Sequence, residues 1–154
     1  MKDRKTLFSL LVVVALILTA CNEKTGQADR NCFKREYIDQ HNGYSEVVLV
    51  ETCESKTLYI SGQIADGPDL ESQMRSAIEK LKSQLGKFDA TTRDIVKMNT
   101  YIVAYDESKL DVFRNVRKEL LGDEKMPAST LVGVQSLAKK EWLIEIEAIA
   151  VIPQ

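Results

Sequence analysis

The chain has 154 residues, 44 % of them hydrophobic and 29 % charged, which fits one globular domain plus extensions and excludes a fibrous or disordered chain. Its formal charge is −2; without residues 1–20, which hold Lys2, Arg4 and Lys5 against Asp3, 18 basic and 22 acidic residues leave −4. That balance argues against nucleic acid as the main partner, since phosphate binding needs a basic surface.

Residues 1–20 open with Lys2, Arg4 and Lys5 and continue as an almost unbroken apolar run over 7–20. About 14 apolar residues are too few to cross a bilayer, for which ~20 are needed. The pattern is that of a secretory signal peptide. Leu18-Thr19-Ala20-Cys21 matches the lipobox of bacterial lipoproteins, in which the cysteine becomes the lipidated N-terminus after cleavage. An ordinary signal peptide followed by an incidental cysteine is the alternative. The expectation is an extracytoplasmic envelope protein held to the membrane through lipid on Cys21. Asn22, where Asp would oppose it, suits the outer membrane and its periplasmic side in an organism that has one. Residues 22–30 are polar and read as a tether, residues 31–42 as an arm, and residues 43–154 as the folded domain.

Within that domain, residues 46–51 and 57–61 are strands around a turn at 52–56, and the second runs into Ser61-Gly62-Gln63. Gly67-Pro68-Asp69 opens a helix reaching about residue 85. Leu70, Met74, Ala77, Ile78, Leu81 and Leu85 form its apolar stripe, and Gly86 stands where a C-cap belongs. A third strand covers 95–104, with Lys97 and Asn99 interrupting one face. A second helix covers 106–121, capped by Asp106 and ended by Gly122, with Leu110, Phe113, Val116 and Leu120 inward. Two further strands, 129–135 and 142–152, flank a polar turn at 138–141. The order is β-β-α-β-α-β-β, and helices gathered on one face of a mixed sheet make the fold α+β.

The last strand alternates with period two. Trp142, Ile144, Ile146, Ala148 and Ala150 share one face; Leu143, Glu145, Glu147, Ile149 and Val151 share the other. Two carboxylates on an otherwise apolar face need partners, water or a task. Pro127-Ala128 followed by Ser129-Thr130, then a strand, a turn and Ile-Glu-Ile-Glu-Ala-Ile-Ala-Val resembles the C-terminal signature of the RidA/YjgF family, the reactive intermediate deaminases. Ser61-Gly62-Gln63, about 65 residues upstream, resembles a second motif of that family in the right order.

The resemblance spans roughly residues 44–153 and implies a chorismate-mutase-like fold assembled as a homotrimer. It implies a small-molecule cleft between subunits and, in catalytic members, hydrolysis of imines derived from amino acids. Glu145 matches the glutamate that handles the water and the imine nitrogen, and a carboxylate on a semi-apolar face suits general acid–base work. It also fits a carboxylate paired across a subunit interface or simply solvated. Glu147 reads as structural. Tyr44 matches a pocket-lining position and equally fits a packed aromatic. Ser61 belongs to the same motif, and Gly62 lets a backbone N–H approach a ligand without a side chain in the way.

Ser129 departs from the pattern. Catalytic members carry arginine directly after Pro-Ala, where its guanidinium grips the substrate carboxylate through two bonds. A serine offers one neutral bond, and losing a charge-assisted contact of roughly 1.5–3 kcal/mol weakens such a substrate by one to two powers of ten. Lys139 or Lys140, in the turn before the last strand, are the substitutes at hand. Export separates the domain from the cytoplasmic enzymes that generate most reactive imines, which also points to another substrate. Three readings stay open: a hydrolase or deaminase with altered substrate, a ligand-binding module without chemistry, and a structural envelope protein. No cofactor is expected. A single histidine, His41, and no paired Cys/His spacing leave little for a metal site.

Cys32 and Cys53 remain once Cys21 is lipidated. An even count in an oxidising compartment fits a disulfide that pins the arm to the first hairpin. Two independent thiols are the alternative, since sequence does not show whether the Cα atoms come within ~4.4–6.8 Å.

Overall fold

Alternating apolar residues on five of the strands and 3.6-residue stripes on two helices meet in a single layered unit, seen here in a computed structural model that describes residues 32–154. Residues 1–20, read as a signal peptide, Cys21, expected to carry lipid, and the stretch read as a tether lie outside the described residues. Among the described residues no helix is long and apolar enough to cross a membrane.

The strands are β1 (Lys34–His41), β2 (Tyr44–Glu51), β3 (Ser55–Gln63), β4 (Ile95–Val103), β5 (Ala128–Val134) and β6 (Ile144–Pro153). The helices are α1 (Leu70–Gly86) and α2 (Glu107–Leu121), with a 3-10 turn at Thr92–Asp94. One six-stranded sheet runs in the order β1-β2-β3-β6-β4-β5. The β4–β5 pair is parallel and every other pair is antiparallel, so α2 is the crossover that a parallel neighbour requires.

The stretch read as an arm is largely strand β1. It pairs along β2 from Lys34↔Glu51 to His41↔Tyr44, so the sheet-bearing unit begins at Cys32 rather than at residue 43. The hairpin turns on Asn42 and Gly43, whose φ angles of 49° and 88° are both positive, as a two-residue primed turn demands. At the other end of β1, Cys32 and Cys53 form a disulfide with Cα atoms 5.0 Å apart. It ties the start of the edge strand to the β2–β3 turn.

Both helices start on aspartates. Asp69 accepts the Ser72 N–H at 2.8 Å and Asp106 accepts the Ser108 N–H at 2.9 Å, and these bonds hold both carboxyls below the ordinary aspartate value. Gly122 ends α2 with φ 80°. Gly86 differs from its expected role: α1 runs through it and stops on Lys87, and the left-handed residue that turns the chain is Asp89, φ 58°.

The core lies between the helices and one face of the sheet. Leu58 and Ile60 of β3, Met98 and Ile102 of β4, and Ile144, Ile146, Ala148 and Ala150 of β6 are buried with Met74, Ile78, Leu81 and Leu85 of α1 and Phe113 and Val116 of α2. Among the described residues Gln63, Gln73 and Thr100 are buried polar side chains as well. Gln73 donates to the carbonyls of Gly67 (3.0 Å) and Glu141 (2.8 Å) and accepts the Leu143 N–H at 2.8 Å. This buried amide clamps the chain as it enters β6, and so sets the height at which Glu145 sits. Trp142 falls before the strand, in the turn, where its indole N–H donates to Asp66 at 3.1 Å.

Candidate functional site

The sheet face opposite the helices is built from the other residues of the same strands. Val48, Tyr59, Ser61, Lys97, Asn99, Glu147 and Ile149 line a shallow concavity of about 280 Å³ across β2, β3, β6 and β4. At its margin β3 is irregular. The β3–β6 register shifts between Ile60 and Gln63, so Ser61 and Gly62 form a bulge and Gln63 turns to the core side opposite Ile146.

Gly62 lies directly under Glu145. A Cβ at Gly62 would fall within the Glu145 carboxylate and 2.7 Å from its Cγ. The glycine is therefore needed where the motif places it, and the reason is room for the carboxylate. Among the described residues Glu145 has no hydrogen bond or ion pair. Burial, then the neighbouring Glu147 charge, raises its pKa above the ordinary glutamate value.

Glu147 stands two residues along the same face and is held differently. Its Oε1 accepts Asn99 Nδ2 at 2.6 Å and the Tyr101 hydroxyl at 3.2 Å. Those donors come from β4, where Asn99 pairs with Glu147 and Tyr101 with Glu145. Burial and then the Glu147 charge raise the Tyr101 phenol above its ordinary value, so its hydroxyl stays a donor to Glu147 well into the alkaline range. Lys97, further along β4, gives its ammonium to Thr130 Oγ1 at 2.7 Å.

Tyr44 belongs to the same end of the face, because the β2–β3 register carries its strand start toward Gln63. Its hydroxyl is 2.7 Å from His41 Nε2 and donates to Glu46 Oε1 at 3.3 Å, while His41 is 3.1 Å from that oxygen. The His41 and Tyr44 rings meet edge to face at 4.6 Å. Gln63 links this group to the bulge by donating to Glu46 at 3.4 Å and to the Ser61 carbonyl at 2.9 Å. Ser61 spends its hydroxyl on the Ser45 carbonyl at 2.6 Å, stitching β3 to β2 rather than facing a ligand as a free donor.

Tyr44, Ser61, Gly62 and Glu145 thus gather at one end of the open face. Ser129 does not join them within the subunit. It pairs with Met98 on the edge strand β5, with β4 between it and β6. It shares a face with Leu131, which packs on the core, so it lies on the helix side of the sheet. Lys139 sits over the Trp142 ring at 4.7 Å, and neither it nor Lys140 bonds Glu145. Sequence reasoning named Asn99, Gln63 and His41 without assigning them to the site, and it did not single out Tyr101. Polar side chains alternating with apolar ones on β4 were the available signal. Among the described residues no group of three or more His, Cys, Asp and Glu side chains is placed to hold a metal ion.

Residues 35–152 match the family model described as Endoribonuclease L-PSP. The chain belongs to the RidA/YjgF family. A RutC family protein of Pyrococcus abyssi is 31 % identical over 115 residues, which is 70 % of this chain and 84 % of that protein. The RutC family protein YjgH of Escherichia coli is 31 % identical over 103 residues, covering 63 % and 76 %. Among solved structures, a Mycobacterium tuberculosis member of the YjgF/YER057c/UK114 family superposes with a TM-score of 0.67 at 26 % identity, covering 77 % of this chain and 100 % of that one. These RidA-family relatives share the mixed α+β architecture described above.

Proposed function

We propose that this RidA-family protein is an exported, lipid-anchored hydrolase of imines or enamines that works in clefts between the subunits of a homotrimer. The observation that carries the reading is Glu145: a half-buried carboxylate without a partner among the described residues, raised in pKa, set over a glycine that leaves it room. In hydrolysis, the Glu145 carboxylate takes a proton from water as the oxygen adds to the C=N carbon. The same group then delivers a proton to the nitrogen, and the carbinolamine collapses to a carbonyl compound and ammonia. A pKa above the usual glutamate range helps a single carboxyl serve both steps.

Trimer formation has its own support. The open face exposes Tyr37, Tyr59 and Val132 by 52 %, 47 % and 40 %, and no described residue covers it. The position of Ser129 favours a second reading, a ligand-binding module without chemistry, because a neutral serine on the helix side of an edge strand gives no grip on an imino acid's carboxylate. RNA, which the matched family description brings to mind, suits the face less well, since Glu46, Glu145 and Glu147 outnumber Lys97 there.

The test measures ammonia release from imines generated in situ, using the full-length protein in detergent. The wild type should accelerate hydrolysis and Glu145→Gln should lose about 100-fold or more of that acceleration. No acceleration with any imine leaves the binding module. Light scattering on the same sample should give three protomers, and Cys21→Ser should move the protein out of the membrane fraction.

A further inference from the structure

The open face as the subunit builds it is matched to a positively charged ligand. Glu145 and Glu147 follow one another on one face of β6 and share their surroundings, yet among the described residues neither has an ion pair. Glu147 is satisfied by an amide and a phenol, donors that support a negative charge without cancelling it. Glu145 has neither. Of the cations nearby, Lys139 lies over the face of Trp142 and Lys87 pairs with Asp39, while Lys97 lines the same concavity and donates to the neutral Thr130 hydroxyl. At the Tyr44 end, Glu46 adds a third carboxylate facing His41, Tyr44 and Gln63. A substrate carboxylate here would meet the charges of Glu145, Glu147 and Glu46, which outnumber the one ammonium on the face, that of Lys97. An iminium or ammonium group would replace the missing counter-charge.

Resting on the hydrolase reading above, we infer that the substrate class is a carboxylate-free imine, bound as its protonated iminium with the nitrogen toward Glu145 and Glu147. Hydrolysis of the iminium forms the C–O bond from water and breaks the C–N bond. The bonding pair leaves with nitrogen, and the products are an aldehyde or ketone and an ammonium ion. Such imines are produced by oxidation of primary amines, so the reaction class that would supply this site is amine oxidation rather than amino-acid elimination. The placement of Ser129 then has a simple meaning: there is no substrate carboxylate for an arginine to hold.

Two imines separate the alternatives. Butylamine with an amine oxidase supplies a carboxylate-free imine, and 2-aminobutanoate with an amino-acid oxidase supplies 2-iminobutanoate; each is followed with the full-length protein. The expected result is a preference of about tenfold or more for the carboxylate-free imine, narrowed by Glu147→Gln and by added salt. Equal or faster hydrolysis of 2-iminobutanoate overturns the inference, because a cation must then reach Glu145 from a neighbouring subunit. If neither imine is hydrolysed, the hydrolase reading falls and binding decides the charge class. Amide NMR shifts at Gly62 and Glu145 on adding butylammonium, and none with butanoate, keep the cationic site. Shifts with butanoate, or with neither ion, remove it.

Discussion

The two faces of the sheet are made by the same strands, residue by alternate residue, and they do opposite things. On the covered face Leu58, Ile60, Met98, Ile102, Ile144 and Ile146 pack under α1 and α2 with almost no exposure. On the open face their immediate neighbours are Tyr59, Ser61, Asn99, Tyr101, Glu145 and Glu147, which hold charge and hydrogen bonds in a half-solvated layer. Stability is concentrated on the first, and the chemistry proposed above belongs to the second. The division follows from the pleat, since a period of two lets one strand serve both without compromise. Substitutions one residue apart should therefore separate folding from function.

The largest effect on stability belongs to the covered face. Ile146→Ala should cost about 2–5 kcal/mol in denaturant unfolding, because it leaves a cavity under α1. Ile149→Ala, on the open face, should cost less than about 1 kcal/mol within the subunit and should appear instead as easier dissociation on dilution. Equal losses at the two positions would show that the open face is part of the subunit's own core.

Next comes the disulfide, which reinforces the edge of the sheet rather than either face. It closes a loop of 21 residues, for which the chain-entropy model gives roughly 3 kcal/mol. Cys53→Ser should lower stability by about that amount in non-reducing denaturation, and a reductant should bring the wild type down to the variant.

Gly62→Ala reverses the pattern. Its new Cβ meets only the Glu145 side chain, which can swing aside, so unfolding should change by less than about 1 kcal/mol. On the hydrolase reading, imine hydrolysis should fall roughly 100-fold, since the carboxylate proposed to act is displaced. Activity retained with the alanine would detach Glu145 from the chemistry.

The smallest effect is a pH dependence. Burial and Glu147 raise the Glu145 pKa in the folded chain, so the protonated form is favoured there. Its contribution to stability is complete below the ordinary glutamate range and is lost as pH rises through the raised value. Glu145→Gln removes that loss, so the variant should gain on the wild type in melting temperature between pH 4 and pH 8. Parallel curves would mean that Glu145 titrates as a solvated carboxyl.

Much of this was legible in the sequence because it is local. Helix caps at Asp69 and Asp106, the stripe from Leu70 to Leu85, and the alternation of β6 each depend on residues within one or two turns of each other. The Asn42-Gly43 hairpin was equally local, but the charged run before it, Lys34-Arg35-Glu36, hid an edge strand whose outward side is solvated. Gln73 escaped notice for a related reason: an amide in a helical stripe looks like surface until its partners, Gly67, Glu141 and Leu143, are brought to it from far along the chain.

By itself the sequence determined which residues alternate, where helices begin and stop, and that a glycine and a glutamate of matching motifs occur in the right order. Only the tertiary structure decided that β6 inserts between β3 and β4. That insertion sets Glu145 over Gly62 on one side and brings Asn99 and Tyr101 to Glu147 on the other. It also decided that Ser129 faces the helices from an edge strand, away from both carboxylates. The reason is physical: backbone periodicity is written in neighbours along the chain, while strand order is settled by which apolar faces the helices can cover together, a property of the whole chain.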